Sequence, residues 1–229
     1  MSIAQNLKTI RTRIRQAAEN AGRDPAEIEL VAVTKTHPAS LVRQAWESGV
    51  AVAGENYIQE AREKIAALAD CGLRWHFIGH LQSNKARQAV AHFELIHSVD
   101  SLKLGHEIDK QAGRIGKPQP ILVQVNISRE ATKSGATREA ARELVEALGR
   151  LPHLQVRGLM TMPPFFDQPE RARPYFAALR ELRDRIREAA PPGVVMAHLS
   201  MGMTGDFEAA IAEGATLVRI GTAIFGQRR

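Results

Sequence analysis

An alternation constrains this chain more than any other feature. Eight short, apolar, β-branched runs (30–33, 50–53, 75–78, 95–97, 121–125, 156–160, 194–197 and 217–220) are separated by longer stretches with helical spacing. The runs are continuously apolar rather than polar at every second position, as parallel strands covered on both faces require. Ile3, Leu7, Ile10, Ile14 and Ala17 open the chain on one helical face, and Gly22 stops it. Pro38 suits the first turn of a second helix that Gly49 ends. Further helices are predicted over 57–69, 84–91, 102–114, 138–148 and 206–212, with a short last one at 222–226. Asp100, Thr137 and Thr204 are candidate N-caps, and Asp167 with Glu170 resembles a capping box that Pro174 pushes to a later start or a kink. A helix followed by eight strand–helix units predicts an α/β fold, a single (β/α)8 TIM-type barrel forming one domain over residues 1–229. A doubly wound open sheet is the rival, because periodicity does not report closure.

Composition removes other classes. Apolar residues are 44% and charged residues 24%, and the 17 glycines and 11 prolines are scattered, which excludes disordered, collagen-like and low-complexity chains. No apolar run approaches the ~20 residues that cross a bilayer, and the N-terminus has no h-region or cleavage site, so no membrane association is expected. Cys71 is the only cysteine, which points to a reducing cytoplasm. The net charge is +6, and Arg171, Arg173, Arg180, Arg183, Arg185 and Arg187 are clustered. Interleaved with Glu181, Asp184 and Glu188, they read as the wet face of a helix. With aromatics at 5%, nucleic-acid binding is not expected. His76 and His80 are four apart, but on a strand and its loop. They make no metal site and read as a core residue and a pocket residue.

Parallel barrels carry their sites at the C-terminal ends of the strands. The first predicted strand runs into Thr34, Lys35, Thr36 and His37. Partial desolvation of Lys35 would favour the neutral amine that condenses with an aldehyde; the bland alternative is a lysine whose head reaches solvent. The last two strands run into SMGMTGD and RIGTAIFG, where Gly202, Gly205 and Gly221 allow close backbone approach and Ser200, Thr204 and Thr222 bring hydroxyls. Such loops cradle phosphate, or merely turn and cap. Arg219 inside an apolar strand needs a ligand or a structural partner such as Glu55. An aldehyde-binding lysine, a phosphate cradle and a buried arginine together suggest pyridoxal 5′-phosphate (PLP).

At these residues the chain resembles the YggS/PROSC family of PLP homeostasis proteins. The stretches that match are VAVTKTHP, GENYIQEAREK, WHFIGHLQSNK, HSVDS, VQVNIS with TKSG, GLMTMPP, and HLSMGMTGDFEAAIAEGATLVRIGTAIFG. The resemblance implies a barrel like the N-terminal domain of alanine racemase. It implies PLP as a Schiff base on Lys35, Asn56 beside the ring and Arg219 toward the pyridine nitrogen. It also implies phosphate contacts around Ser200, Gly221 and Thr222, with Met201, Gly202 and Thr204 flanking. Ala53 and the pair Thr204–Gly205 depart from the family pattern, without removing a contact. The implied role is a monomeric PLP carrier or buffer without turnover, serving PLP-dependent apoenzymes and affecting amino- and keto-acid balance. Arginine keeps its proton, so the ring nitrogen facing it stays unprotonated and quinonoid stabilisation is weak. The alternative is a PLP-dependent amino-acid racemase or lyase. By resemblance, racemases add a tyrosine from a C-terminal β domain, whereas this chain stops at Arg229 with Tyr57 and Tyr175 as its tyrosines. A Schiff-base aldolase using Lys35 directly is a further rival.

Overall fold

The computed structural model describes residues 2–130 and 132–227. Its strands are β1 (Glu29–Val33), β2 (Val52–Glu55), β3 (Arg74–Phe77), β4 (Leu95–Val99), β5 (Gln119–Asn126), β6 (Ala136–Thr137), β7 (Leu154–Met160), β8 (Val194–Ser200) and β9 (Leu217–Ile220). All pairings are parallel. Neighbours in the order β4-β3-β2-β1-β9-β8-β7-β5 pair, and β4 on β5 closes the ring, through Ile96–Ile121 and Val99–Val123. That closure decides against the open sheet. The two-residue β6 lies outside the ring, on the end of β5.

The helices are α1 (Ile3–Asn20), α2 (Ala39–Glu47), α3 (Ile58–Ala67), α4 (Ala86–His92), α5 (Leu102–Ile115), α6 (Ala141–Gly149), α7 (Arg173–Ala189), α8 (Phe207–Ala212) and α9 (Thr222–Phe225). In α1 the Ser2 hydroxyl caps Gln5 N–H at 3.2 Å, and Leu7, Ile10, Ile14 and Ala18 face inward. Asn6 Nδ2 donates to the Ile224 carbonyl, and Arg11 to those of Ser48 and Gly49, so α1 ties the last βα unit to the first.

Strand alternation separates two apolar layers. Outward residues such as Ala32, Ala53, Phe77, Ile96, Val123 and Leu199 pack under the helices in one large cluster. Val31, Val52, Leu95, Leu122, Met160 and Leu217 form a second, internal cluster that fills the barrel.

Several terminus expectations need correction. Ser101, not Asp100, caps α5, through Leu104 N–H. Asp206, not Thr204, stands at the N-cap position of α8. Thr137 does accept from Ala140 N–H, at 3.2 Å, but its own residue is drawn into β6, so α6 begins only at Ala141. The Arg-rich helix starts late, as Pro174 requires: a 3-10 turn over Pro169–Ala172 leads into α7, without a side-chain cap. Phe176, Leu179, Leu182 and Ile186 of α7 are buried. Arg173 and Arg180 both bind the buried Glu213, at 2.6 and 2.7 Å, and Arg183 and Arg187 share Asp184. The arginine cluster is therefore a mixed-charge helix face.

Candidate cofactor site

β1 ends at Val33, and Lys35 stands just beyond it in a turn. Lys35 is half-buried, and it lines a cavity of about 260 Å³ together with Arg219, Gly221, Thr222, Thr204 and Asp206. Five of the expected site residues therefore meet in one place. Phe165 and Phe166, from the loop after β7, form an apolar wall.

Arg219 projects from β9 and is 4% exposed. Its Nη1 donates to the Ser200 hydroxyl at 2.5 Å and its Nη2 to the Thr161 carbonyl at 2.9 Å. Among the described residues no carboxylate forms an ion pair with it. Burial draws its guanidinium down to about 10, while the charge of Asp206 acts the other way. Behind Ser200 the chain of contacts continues: His97 Nδ1 lies 2.9 Å from the Ser200 hydroxyl, and His97 Nε2 lies 3.1 Å from His76 Nδ1. Burial holds His76 down to about 3 and His97 well below its usual value, so both imidazoles are neutral at neutral pH. His76 is thus a satisfied core residue, and His80 an exposed one at the mouth.

Other expected residues are placed differently. The Ser200 side chain is fully buried and lies behind Arg219, its hydroxyl shared between Arg219 and His97. Met201 and Gly202 are buried under the same loop, and Gly202 O accepts from Arg219 N–H. Asn56 lines two neighbouring cavities, about 530 and 220 Å³, at the other half of the mouth. Its Oδ1 is buried without a partner. Gly79 lies against it so closely that a Cβ there would collide with the Asn56 backbone. Lys85 and Lys133 also border those cavities, Lys133 paired with Glu130 at 2.9 Å.

Glu55 does not pair with Arg219. It faces outward toward α3, where Lys64 Nζ meets its Oε1 at 2.7 Å and the Thr34 hydroxyl donates to the same oxygen at 2.6 Å. Burial pushes the Glu55 carboxyl above its usual range. Sequence reasoning also missed Lys64, Glu60, His97 and Asp206. Asp206 accepts from Met203 N–H at 2.6 Å and so shapes the loop after β8; burial raises its carboxyl. In the GENYIQEAREK stretch, Glu60 and Lys64 stand four apart within α3 and Glu55 closes β2 just before it, which held the signal for Lys64 and Glu60.

The profile of the alanine racemase N-terminal domain matches residues 5–229. The chain belongs to this family. Within it, the chain is similar to proteins named pyridoxal phosphate homeostasis protein. That of Pseudomonas aeruginosa PAO1 is 48% identical over 227 residues, covering 99% of this chain and 96% of the relative. That of Aquifex aeolicus is 44% identical over 229 residues, covering all of both. Among solved structures, PipY of Synechococcus elongatus PCC7942, with PLP bound, superposes with a TM-score of 0.86 at 37% identity, covering 98% of this chain and 100% of that one. An alanine racemase of Clostridium difficile 630, at 17% identity and a TM-score of 0.71, shares the fold alone, and the match covers 57% of it. Among the described residues there is no cluster of metal-ligating side chains, and no helix is long and apolar enough to cross a membrane.

Proposed function

We propose that this chain binds PLP as a Schiff base on Lys35 and acts in PLP homeostasis as a carrier or buffer for PLP-dependent apoenzymes, with effects on amino- and keto-acid balance. One observation carries the reading: Lys35 and Arg219 line the same cavity as the loops after β8 and β9. The donor set fits the group. Arg219 is a buried cation with no carboxylate partner among the described residues, which suits an uncharged ring nitrogen as acceptor. The first N–H groups of α9 have no partner within their own helix, and with the Thr222 and Thr204 hydroxyls they suit a phosphate. The orphaned Asn56 Oδ1 awaits a donor at the mouth.

When bound, PLP supplies an aldehyde and an electron-withdrawing ring. Lys35 offers the amine. Arg219 donates to the ring nitrogen and keeps its own proton. Ser200 acts one step back, holding the guanidinium rather than the phosphate. Phe166, partly buried against the core, covers one wall of the cavity.

The test is a PLP titration followed by borohydride reduction and peptide mapping. The expected result is a yellow protein whose pyridoxyl group maps to Lys35 and is lost in Lys35→Ala. An adduct on another lysine, or an undiminished adduct in Lys35→Ala, overturns the assignment.

A further inference from the structure

The two peptide groups on either side of Lys35 are both gripped by α3. Lys64 Nζ donates to the Thr34 carbonyl, which belongs to the peptide joining Thr34 to Lys35, at 2.6 Å. Glu60 Oε1 accepts the Thr36 N–H, which belongs to the peptide joining Lys35 to Thr36. Lys64 ties the two together, bonding that same Glu60 oxygen at 2.6 Å and Glu55 Oε1 at 2.7 Å. Lys64 is 5% exposed and Glu55 wholly buried, so neither contact is a surface accident.

The grip has work to do. Thr36 has φ of +66°, a left-handed conformation that a β-branched residue disfavours. Such a residue persists only where its surroundings over-determine it. Here the over-determining groups are Glu60, on its N–H, and Lys64, which anchors Glu60.

We propose that Lys64 and Glu60 are positioning residues for Lys35: they clamp the flanking peptides so that the strand end turns sharply and Lys35 stays directed into the cavity. Glu55 is the buried counter-charge that keeps Lys64 in place. The proposal rests on Lys35 being the PLP lysine, but its geometry concerns the protein alone.

The experiment compares the full-length wild type with Lys64→Met, Glu60→Ala and Lys64→Arg. Phe176→Leu, a core change on α7, serves as a control for lost stability. One readout is the rate of pyridoxyl trapping on Lys35 with added PLP. The other needs no PLP: acetylation of Lys35 by acetic anhydride across a pH series, with Lys85 and Lys133 as internal references. Loss of the clamp should slow trapping at least about tenfold, the scale of a lost hydrogen bond to a charged group. It should also move the Lys35 acetylation profile, with recovery in Lys64→Arg and neither effect in Phe176→Leu. If Lys64→Met does not fold, Glu60→Ala decides, since Glu60 is partly exposed. Folded variants whose Lys35 traps and acetylates as wild type overturn the clamp. Absence of any adduct on wild-type Lys35 overturns the PLP assignment instead, and the acetylation profiles then judge the clamp by themselves.

Discussion

Arg219 and His97 never touch, yet the Ser200 hydroxyl binds both, at 2.5 and 2.9 Å. A guanidinium can only donate, so the hydroxyl accepts from Arg219 and also bonds His97 Nδ1. His97 Nε2 in turn meets His76 Nδ1 at 3.1 Å, so one serine hydroxyl links the guanidinium to two buried rings.

Ser200→Ala should expose the importance of that link. A buried cation loses an acceptor and a buried imidazole loses a hydrogen-bond partner, with a cost of about 1–3 kcal/mol. Urea unfolding measures the loss. PLP affinity should fall as well, because Arg219 is no longer held; unchanged stability and affinity would show that the hydroxyl is dispensable.

The histidine pair makes stability depend on pH in a definite direction. His76 is held down to about 3 and His97 well below 6.5, both by burial. Below about pH 6.5 the unfolded chain binds protons that the folded one refuses, so the stabilisation is complete above that pH and is lost as pH falls. Each ring contributes roughly 1.4 kcal/mol per pH unit over that range. Urea midpoints should drop between about pH 7 and about pH 5, and the drop should shrink in His97→Asn relative to wild type at the same pH values.

Gly79→Ala tests the seat of Asn56. The added Cβ would collide with the Asn56 backbone. Overpacking of this kind costs about 1–3 kcal/mol. The expected outcome is a folded protein with lowered Tm and weakened PLP binding, read by calorimetry and absorbance titration. A variant with wild-type affinity would show that the mouth tolerates a displaced Asn56.

On α7, Arg173 and Arg180 are answered by Glu213, and Arg183 and Arg187 by Asp184. Paired charges release few counterions from DNA. A DNA column should therefore release the protein at low salt, with a shallow salt dependence. Retention that persists well above physiological salt would contradict the neutralised face.

The eight strands were legible because strands buried on both sides need unbroken apolar runs, and those runs stand out. Ring closure was not, since the β1–β9 pairing joins segments from opposite ends of the chain with no local mark. Lys35, Arg219, Gly221 and Thr222 could be grouped in advance because the ends of parallel strands converge, and they line one cavity. Glu55 was assigned the wrong partner for a reason of parity. Gly54 faces the barrel interior, among Val31 and Ile78, so its neighbour Glu55 must face α3 and Lys64. Strand ends were visible in the sequence, but the side on which each residue leaves the strand was not. The depth of Ser200 was not visible in the sequence: its hydroxyl is buried between Arg219 and His97.

The six-residue internal plug, from Val31 to Leu217, turns the barrel from a tube into a cup. A guest seated over it cannot pass through the barrel, so it enters and leaves on the side of the strand ends. Phe165 and Tyr57 stand out into solvent at the rim of that cup.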